Sequence, residues 1–129
     1  MNETDVLELD DKHWESTVEK GGNLTAVMFY NVQCPHCMAM MPYFEKYASE
    51  FRDKVLFARV DVVKNPFLVS RYGIMATPTF KFFCLGRPVQ EMVGEVYPTL
   101  LKKTAEEILQ TRKDCGSRST PIDYNLGYA

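Results

Sequence analysis

No apolar run in this 129-residue chain approaches the roughly 20 residues that a membrane-spanning helix needs. A protein that crosses a bilayer as a helix is therefore not expected. Neither sign of charge is in excess: 15 Lys+Arg stand against 17 Asp+Glu, a formal net charge of -2. Such a balance carries no electrostatic footprint for nucleic acid or anionic lipid. Arg112, Lys113 and Arg118 read as a solvated tail. Proline and glycine, seven of each, are too few for a collagen or a low-complexity chain. Four cysteines are too few for a disulfide scaffold. The start, Met1-Asn2-Glu3-Thr4-Asp5, is acidic and lacks the basic-then-apolar order of a secretory signal. The expected location is thus cytoplasmic and reducing, where cysteines are more often catalytic or metal-binding than structural. What is present is ordinary globular material, 46% hydrophobic and 25% charged, of a length that suits one domain. No linker or internal repeat divides it. The expected organisation is a monomeric domain over residues 1–110 and a polar, turn-rich tail over residues 111–129.

Hydrophobic periodicity orders the chain. Val6 to Leu9 reads as a short edge strand. Asp10 or Asp11 is placed to cap a helix carrying Trp14 and Val18, which Gly21-Gly22-Asn23 breaks. Leu24 to Tyr30 is a nearly continuous apolar run, the pattern of a strand buried on both faces. From Cys34 the period becomes helical: Cys37, Met41, Phe44, Ala48 and Phe51 fall on one face, with Pro42 inside. Val55 to Val62 reads as a second buried strand. Asn65-Pro66 opens a short helix that Tyr72-Gly73 ends. Thr79 to Leu85 is strand-like, Gly86-Arg87-Pro88 reads as a turn, and Val89 to Val93 returns as a hairpin partner. Pro98 to Gln110 closes with an amphipathic helix bearing Leu100, Leu101, Thr104, Ile108 and Leu109. The order β-α-β-α-β-α-β-β-α predicts an α/β fold with a mixed sheet and helices on both faces.

Cys34-Pro35-His36-Cys37 follows a buried strand and opens a helix. Two cysteines three apart at a helix start bring their sulfurs within bridging range. The first meets outward-pointing N–H groups and the positive end of the helix dipole, which favours its thiolate. Pro35 falls where a missing N–H costs nothing. His36, when protonated, adds a cation near the thiolate. Cys37 lies on the inward stripe. The roles follow: Cys34 attacks a disulfide and Cys37 resolves the mixed disulfide. The alternatives are half a zinc site and an inert structural bridge. A tetrahedral zinc site needs four ligands, and Cys84, Cys115, His13 and His36 offer no second paired spacing. Cys84 reads as a half-buried inert thiol, Cys115 as an idle tail thiol, and a disulfide to Cys84 or between chains is the lesser reading. Met38, Met40, Met41 and Met75 gather near the dithiol, with Met38 and Met75 as a soft apolar rim.

The dithiol and its setting resemble the thioredoxin superfamily over about Val6 to Gln110. Ala26-Val27-Met28-Phe29-Tyr30 is similar to the central strand before the active site, and Pro42 to the proline of the active-site helix. Val60-Asp61-Val62 with Asn65-Pro66 resembles the third strand and its exit. Tyr72-Gly73-Ile74-Met75-Ala76-Thr77-Pro78-Thr79 resembles the family's cis-proline segment, and Val93-Gly94 its groove glycine. The resemblance implies a thioredoxin fold and a thioredoxin-like reductase of protein disulfides. It implies a cis Thr77-Pro78 bond, and substrate binding by Met75, Ala76, Thr77, Pro78 and Gly94. An ordinary trans proline at a strand start is the plain alternative for Pro78. No metal or organic cofactor is expected, since the dithiol carries the electrons. The expected partners are protein disulfides and a reductase or oxidase that resets the site.

The sequence also departs from the thioredoxins proper, which carry Trp-Cys-Gly-Pro-Cys where this chain has Gln33-Cys34-Pro35-His36-Cys37. Its Pro-His pair resembles that of bacterial periplasmic disulfide oxidases, whose helical insertion this chain has no room for. Met28 stands where the family has a buried acid, Arg59 where it has a lysine, and Tyr30 where it has a tryptophan. Three readings stay open: a reductase, an oxidase or isomerase favoured by Pro35-His36 and Met28, and a binding module that uses the fold without turnover.

Overall fold

The computed structural model describes residues 5–22 and 24–112. Strands β1 (Val6–Leu9), β2 (Leu24–Tyr30), β3 (Val55–Asp61), β4 (Thr79–Cys84) and β5 (Arg87–Val93) alternate with helices α1 (Pro35–Glu50), α2 (Pro66–Tyr72) and α3 (Pro98–Thr111). They form one sheet in the order β1-β3-β2-β4-β5. β3 pairs in parallel with β1 and β2, while β4 runs antiparallel to β2 and β5. This is the mixed sheet of the thioredoxin fold, and the element order follows the sequence expectation.

β2 lies at the centre, and every one of its residues is buried. Successive side chains of a strand face opposite ways. Ala26, Met28 and Tyr30 pack into the cluster under α1 and α3, and Val27 and Phe29 into the cluster on the other face. A helix layer on both faces explains why this strand reads as a nearly continuous apolar run, with Thr25 the one polar residue. The α1 face is built on aromatics: the Phe44 ring lies 4.9 Å from Phe57 and 5.8 Å from Phe80. On the opposite face Trp14 gathers Phe29, Tyr72 and Phe83.

The first helix is shorter than the pattern suggests. It is one π-helical turn, Glu15–Glu19, whose inward residue is Val18. Neither aspartate caps it: Trp14 stands at its start without a side-chain cap, and Asp10 braces the preceding turn, accepting the His13 N–H at 2.9 Å. Asp11 instead reaches across the fold to accept the Leu68 N–H at 3.2 Å, and its own N–H donates to Asn65 Oδ1 at 3.0 Å. Asp11 thus ties the first turn to the start of α2, a long-range use of a polar residue that local pattern cannot reveal.

The hairpin turn also shifts. The central residues are Leu85 and Gly86, both with positive φ (55° and 86°), so β5 begins at Arg87 and takes in Pro88. Two successive left-handed residues give the turn whose twist matches a hairpin. Leu85 accepts this conformation while its side chain packs against the core. A register shift at Phe82/Phe83 accommodates Pro88 on this edge strand.

Two further corrections concern α3 and Cys84. Leu100 is exposed, and the inward face is Leu101, Thr104, Ala105 and Ile108. Cys84 is buried and engaged in a disulfide, not an inert free thiol. Cys115 and the tail beyond Arg112 lie outside the described residues. Among the described residues no helix is long and apolar enough to cross a membrane.

Candidate functional site

The site forms where β2 ends and α1 begins. The Asn31 carbonyl accepts the Cys34 N–H at 3.0 Å, and the Asn31 side chain accepts the Gln33 N–H at 3.0 Å. This local turn delivers Cys34 to the position capping α1. There its backbone is extended (φ -96°, ψ 112°) and its sulfur accepts the Cys37 N–H at 3.2 Å. An unpaired helix N–H is thereby satisfied by the thiol itself. Pro35 fills the first helical position. Cys34 and Cys37 are both free thiols, the first partly exposed and the second buried.

Their environments push them apart. Partial burial raises the Cys34 pKa, but side-chain hydrogen bonding with Cys37 and Thr77 and the N–H groups of Cys37 and His36 outweigh it, and the net direction is down. Burial first, and the neighbouring Cys34 sulfur second, push Cys37 up to about 11. Cys37 sits in the same apolar cluster as the fully buried Met28. The strand position that holds an acid in thioredoxins thus offers only a thioether here.

The segment before β4 closes on the dithiol. The Cys34 thiol points at the Thr77 carbonyl oxygen, 3.6 Å away, and the Thr77-Pro78 peptide bond is cis. Thr79 Oγ1 donates to the Ala76 carbonyl at 2.7 Å and braces this loop. Gly94, just past β5, donates its N–H to the Pro78 carbonyl at 2.7 Å. Its φ of 91° suits glycine alone, and that turn brings the chain back against the Pro78 loop. The structure therefore unites Cys34, Pro35, His36, Cys37, Thr77, Pro78 and Gly94. Ala76 and Met75 lie on the rim, Met75 at 92% exposure and Met38 at 42%, while Met40 and Met41 are core residues.

Two features escaped the sequence reading. Glu95, next to Gly94, holds His36: the imidazole Nδ1 lies 2.6 Å from Glu95 Oε1, across 59 residues of sequence. This carboxylate raises the His36 pKa. A groove of about 560 Å³ lies beside it, lined by Glu95, Val96, Tyr97, Pro98 and Leu100. The second feature joins Tyr30 and Arg59. The Tyr30 hydroxyl donates to Glu8 Oε2 at 2.8 Å, Arg59 Nε donates to Glu8 Oε1 at 2.5 Å, and the guanidinium lies 5.2 Å from the Tyr30 ring centre. Burial, then the Glu8 bond, raise the Tyr30 pKa. Both partners, Glu8 and Glu95, are acids on exposed segments, and only the folded topology pairs them. Among the described residues no group of three or more His, Cys, Asp or Glu is placed to hold a metal ion.

A reactive thiol at a helix start, backed by a buried second thiol on a mixed sheet, defines a thiol–disulfide oxidoreductase domain. The chain belongs to the thioredoxin family, whose model, described as Thioredoxin, matches residues 5–107. It is 32% identical over 105 residues to a thioredoxin of Alicyclobacillus acidocaldarius, covering 81% of this chain and 99% of that one. It is 32% identical over 89 residues to a thioredoxin of Staphylococcus aureus, covering 69% of this chain and 84% of the relative. With thioredoxin-like protein 1 of Schizosaccharomyces pombe it shares 37% identity over 95 residues, 73% of this chain but 32% of that longer protein.

The contrast between the two thiols predicts their labelling. In the reduced protein Cys34 is expected to alkylate with a rate that rises with pH and levels off above its lowered pKa. Cys37, held up to about 11, stays unlabelled through neutral pH. Mass mapping after brief iodoacetamide treatment reads this directly. Preferential labelling of Cys37 would overturn the assignment of roles.

Proposed function

We propose that this protein is a thioredoxin-like reductase of protein disulfides in which Cys34 is the nucleophile and Cys37 the resolving thiol. The observation that carries the reading is the pairing of a partly exposed, pKa-lowered Cys34 with a buried, pKa-raised Cys37 at one helix start. The Cys34 thiolate attacks one sulfur of a substrate disulfide. The substrate S–S bond breaks, the other substrate sulfur leaves as a thiolate and takes a proton, and a Cys34–substrate disulfide remains. Cys37 then loses its proton and attacks Cys34 Sγ. The mixed disulfide breaks, and the second substrate sulfur departs as a thiolate and is protonated. Two electrons have passed to the substrate, and the protein holds a Cys34–Cys37 disulfide for a partner reductase to reopen. No further cofactor takes part.

The substrate chain lies along Thr77, Pro78 and Gly94 in this reading, with Met75 and Ala76 on its rim. The Thr77 backbone beside the Cys34 sulfur supports strand-like pairing with an extended peptide. A cytoplasmic setting belongs to the same reading, and the Cys84 disulfide weighs against it, since such bonds are rare in a reducing compartment.

One observation favours the opposite direction of electron flow. His36, not a proline, stands before Cys37, and a cationic ring there stabilises the Cys34 thiolate and so makes the disulfide a stronger oxidant. His36→Gln keeps the backbone N–H that reaches Cys34 and removes the ring charge. It is expected to raise the Cys34 pKa and lower the reduction potential by on the order of 30 mV for each unit of that rise. Equilibration with glutathione measures both the wild-type potential, which decides between reductase and oxidase, and the shift. An unchanged potential would remove His36 from the tuning of the dithiol.

A further inference from the structure

The ion pair at the edge of the dithiol has a topology that a chance surface contact would not need. His36 belongs to the first turn of α1, and Glu95 to the loop between β5 and α3. That loop is not free to wander: the Gly94 N–H is bonded to the Pro78 carbonyl at 2.7 Å, one residue from the Thr77 carbonyl that the Cys34 thiol touches. Glu95 is therefore presented to His36 by the same loop system that flanks Cys34. The contact, at 2.6 Å, is in the range of a charge-assisted hydrogen bond. Both side chains remain substantially exposed, 67% for His36 and 47% for Glu95. An exposed pair of this kind adds little to folding stability, so its effect is to be sought in the chemistry beside it.

We propose that Glu95 is a positioning residue for Cys34, its carboxylate holding the His36 imidazolium by Nδ1–H so that a fixed cation stands beside the Cys34 sulfur. This rests on the reading of Cys34 as the nucleophile and His36 as its tuning residue. Two groups set the charge on the ring: Glu95, by hydrogen bond and by field, and the Cys34 sulfur, by field; slight desolvation opposes them. Glu95 is not among the groups bonded to Cys34, and the field between the Cys34 sulfur and the His36 ring is the one link that joins Glu95 to the thiol. The sign follows. Raising the His36 pKa keeps the cation in place as pH climbs toward neutrality, and the stabilisation of the thiolate is lost only as pH rises through that raised value.

The test uses Glu95→Gln, Glu95→Asp, His36→Gln and the double Glu95→Gln/His36→Gln variant of the whole chain, reduced. Two readouts are taken: the NMR titration of the His36 ring protons, identified by their loss in His36→Gln, and the pH profile of Cys34 alkylation by iodoacetamide. In Glu95→Gln the His36 titration is expected to move to lower pH. Cys34 labelling at neutral pH is expected to slow about two- to fivefold, the range an exposed charge pair supports. Glu95→Asp should recover part of both. In the His36→Gln background, Glu95→Gln should change nothing further, because its route to Cys34 is gone. An unchanged Cys34 profile in Glu95→Gln overturns the proposal. If His36→Gln alone shifts that profile, His36 keeps its tuning role and only Glu95 falls; if neither shifts it, both fall. An equal effect of Glu95→Gln with and without His36 also overturns it, since Glu95 would then act on the sulfur directly.

Discussion

Replacing Cys37 with Ser is expected to convert a transient adduct into a stable one. The Cys34 thiolate still forms and still attacks a substrate disulfide, because the N–H of residue 37 that caps its sulfur belongs to the backbone and survives the substitution. No second thiol remains to attack Cys34 Sγ, so the mixed disulfide persists. Incubated with a disulfide-bearing protein, the variant should accumulate a covalent complex that non-reducing gel electrophoresis separates and that dithiothreitol dissolves. The wild-type protein should show almost none. Cys34→Ser should give neither adduct nor reduction of insulin disulfides. Absence of any adduct with Cys37→Ser would set aside the exchange mechanism and leave the binding-module reading in its place.

The largest effect on stability is expected at Trp14. Its side chain is 2% exposed, and its indole N–H donates to the Tyr72 hydroxyl at 3.1 Å. The rings of Phe83 and Tyr72 lie 5.2 Å and 5.5 Å away. One residue thus joins the first turn to β2, β4 and α2. Trp14→Ala removes that packing and leaves a cavity the sheet cannot close. The expected cost is about 3–5 kcal/mol, within the range for large aromatic truncations. Guanidinium unfolding followed by circular dichroism measures it, since the substitution removes the only tryptophan as a fluorescent probe. Trp14→Phe should cost less, keeping most of the apolar volume and losing the hydrogen bond. A change under about 1 kcal/mol for Trp14→Ala would mean that the cluster behind β2 is not closely packed.

The sequence made the scaffold readable wherever a local pattern has a single structural solution. β2 is buried on both faces and so is apolar at every position but Thr25. Asn65-Pro66 and Gly73 bound α2 as expected, with Gly73 in the left-handed conformation. The dithiol was legible because a helix start, a proline at its first position and two cysteines three apart all agree. The features that were missed depend on distance along the chain. Asp11 looked like a local cap and serves α2 instead. Leu85 gave no sign of a left-handed turn, because its burial against the core stabilises a backbone that its residue type disfavours. Glu95 and Glu8 are exposed acids with no periodicity to mark them, and they acquire meaning only when the sheet brings them to His36 and to Arg59. The disulfide at Cys84 was only the lesser reading from sequence, because a strand thiol far from any paired spacing looks like a small apolar residue.

Pro88 has a bearing on how this molecule meets other chains. β5 is an outer strand of the sheet, and its largely exposed residues include a proline opposite the register shift at Phe82/Phe83. A strand edge that lacks one donor and is locally twisted makes a poor template for a neighbouring strand. Two copies of the protein are thereby discouraged from zipping together along β5. Crowded solutions of the folded domain should accordingly resist sheet-to-sheet association on that side.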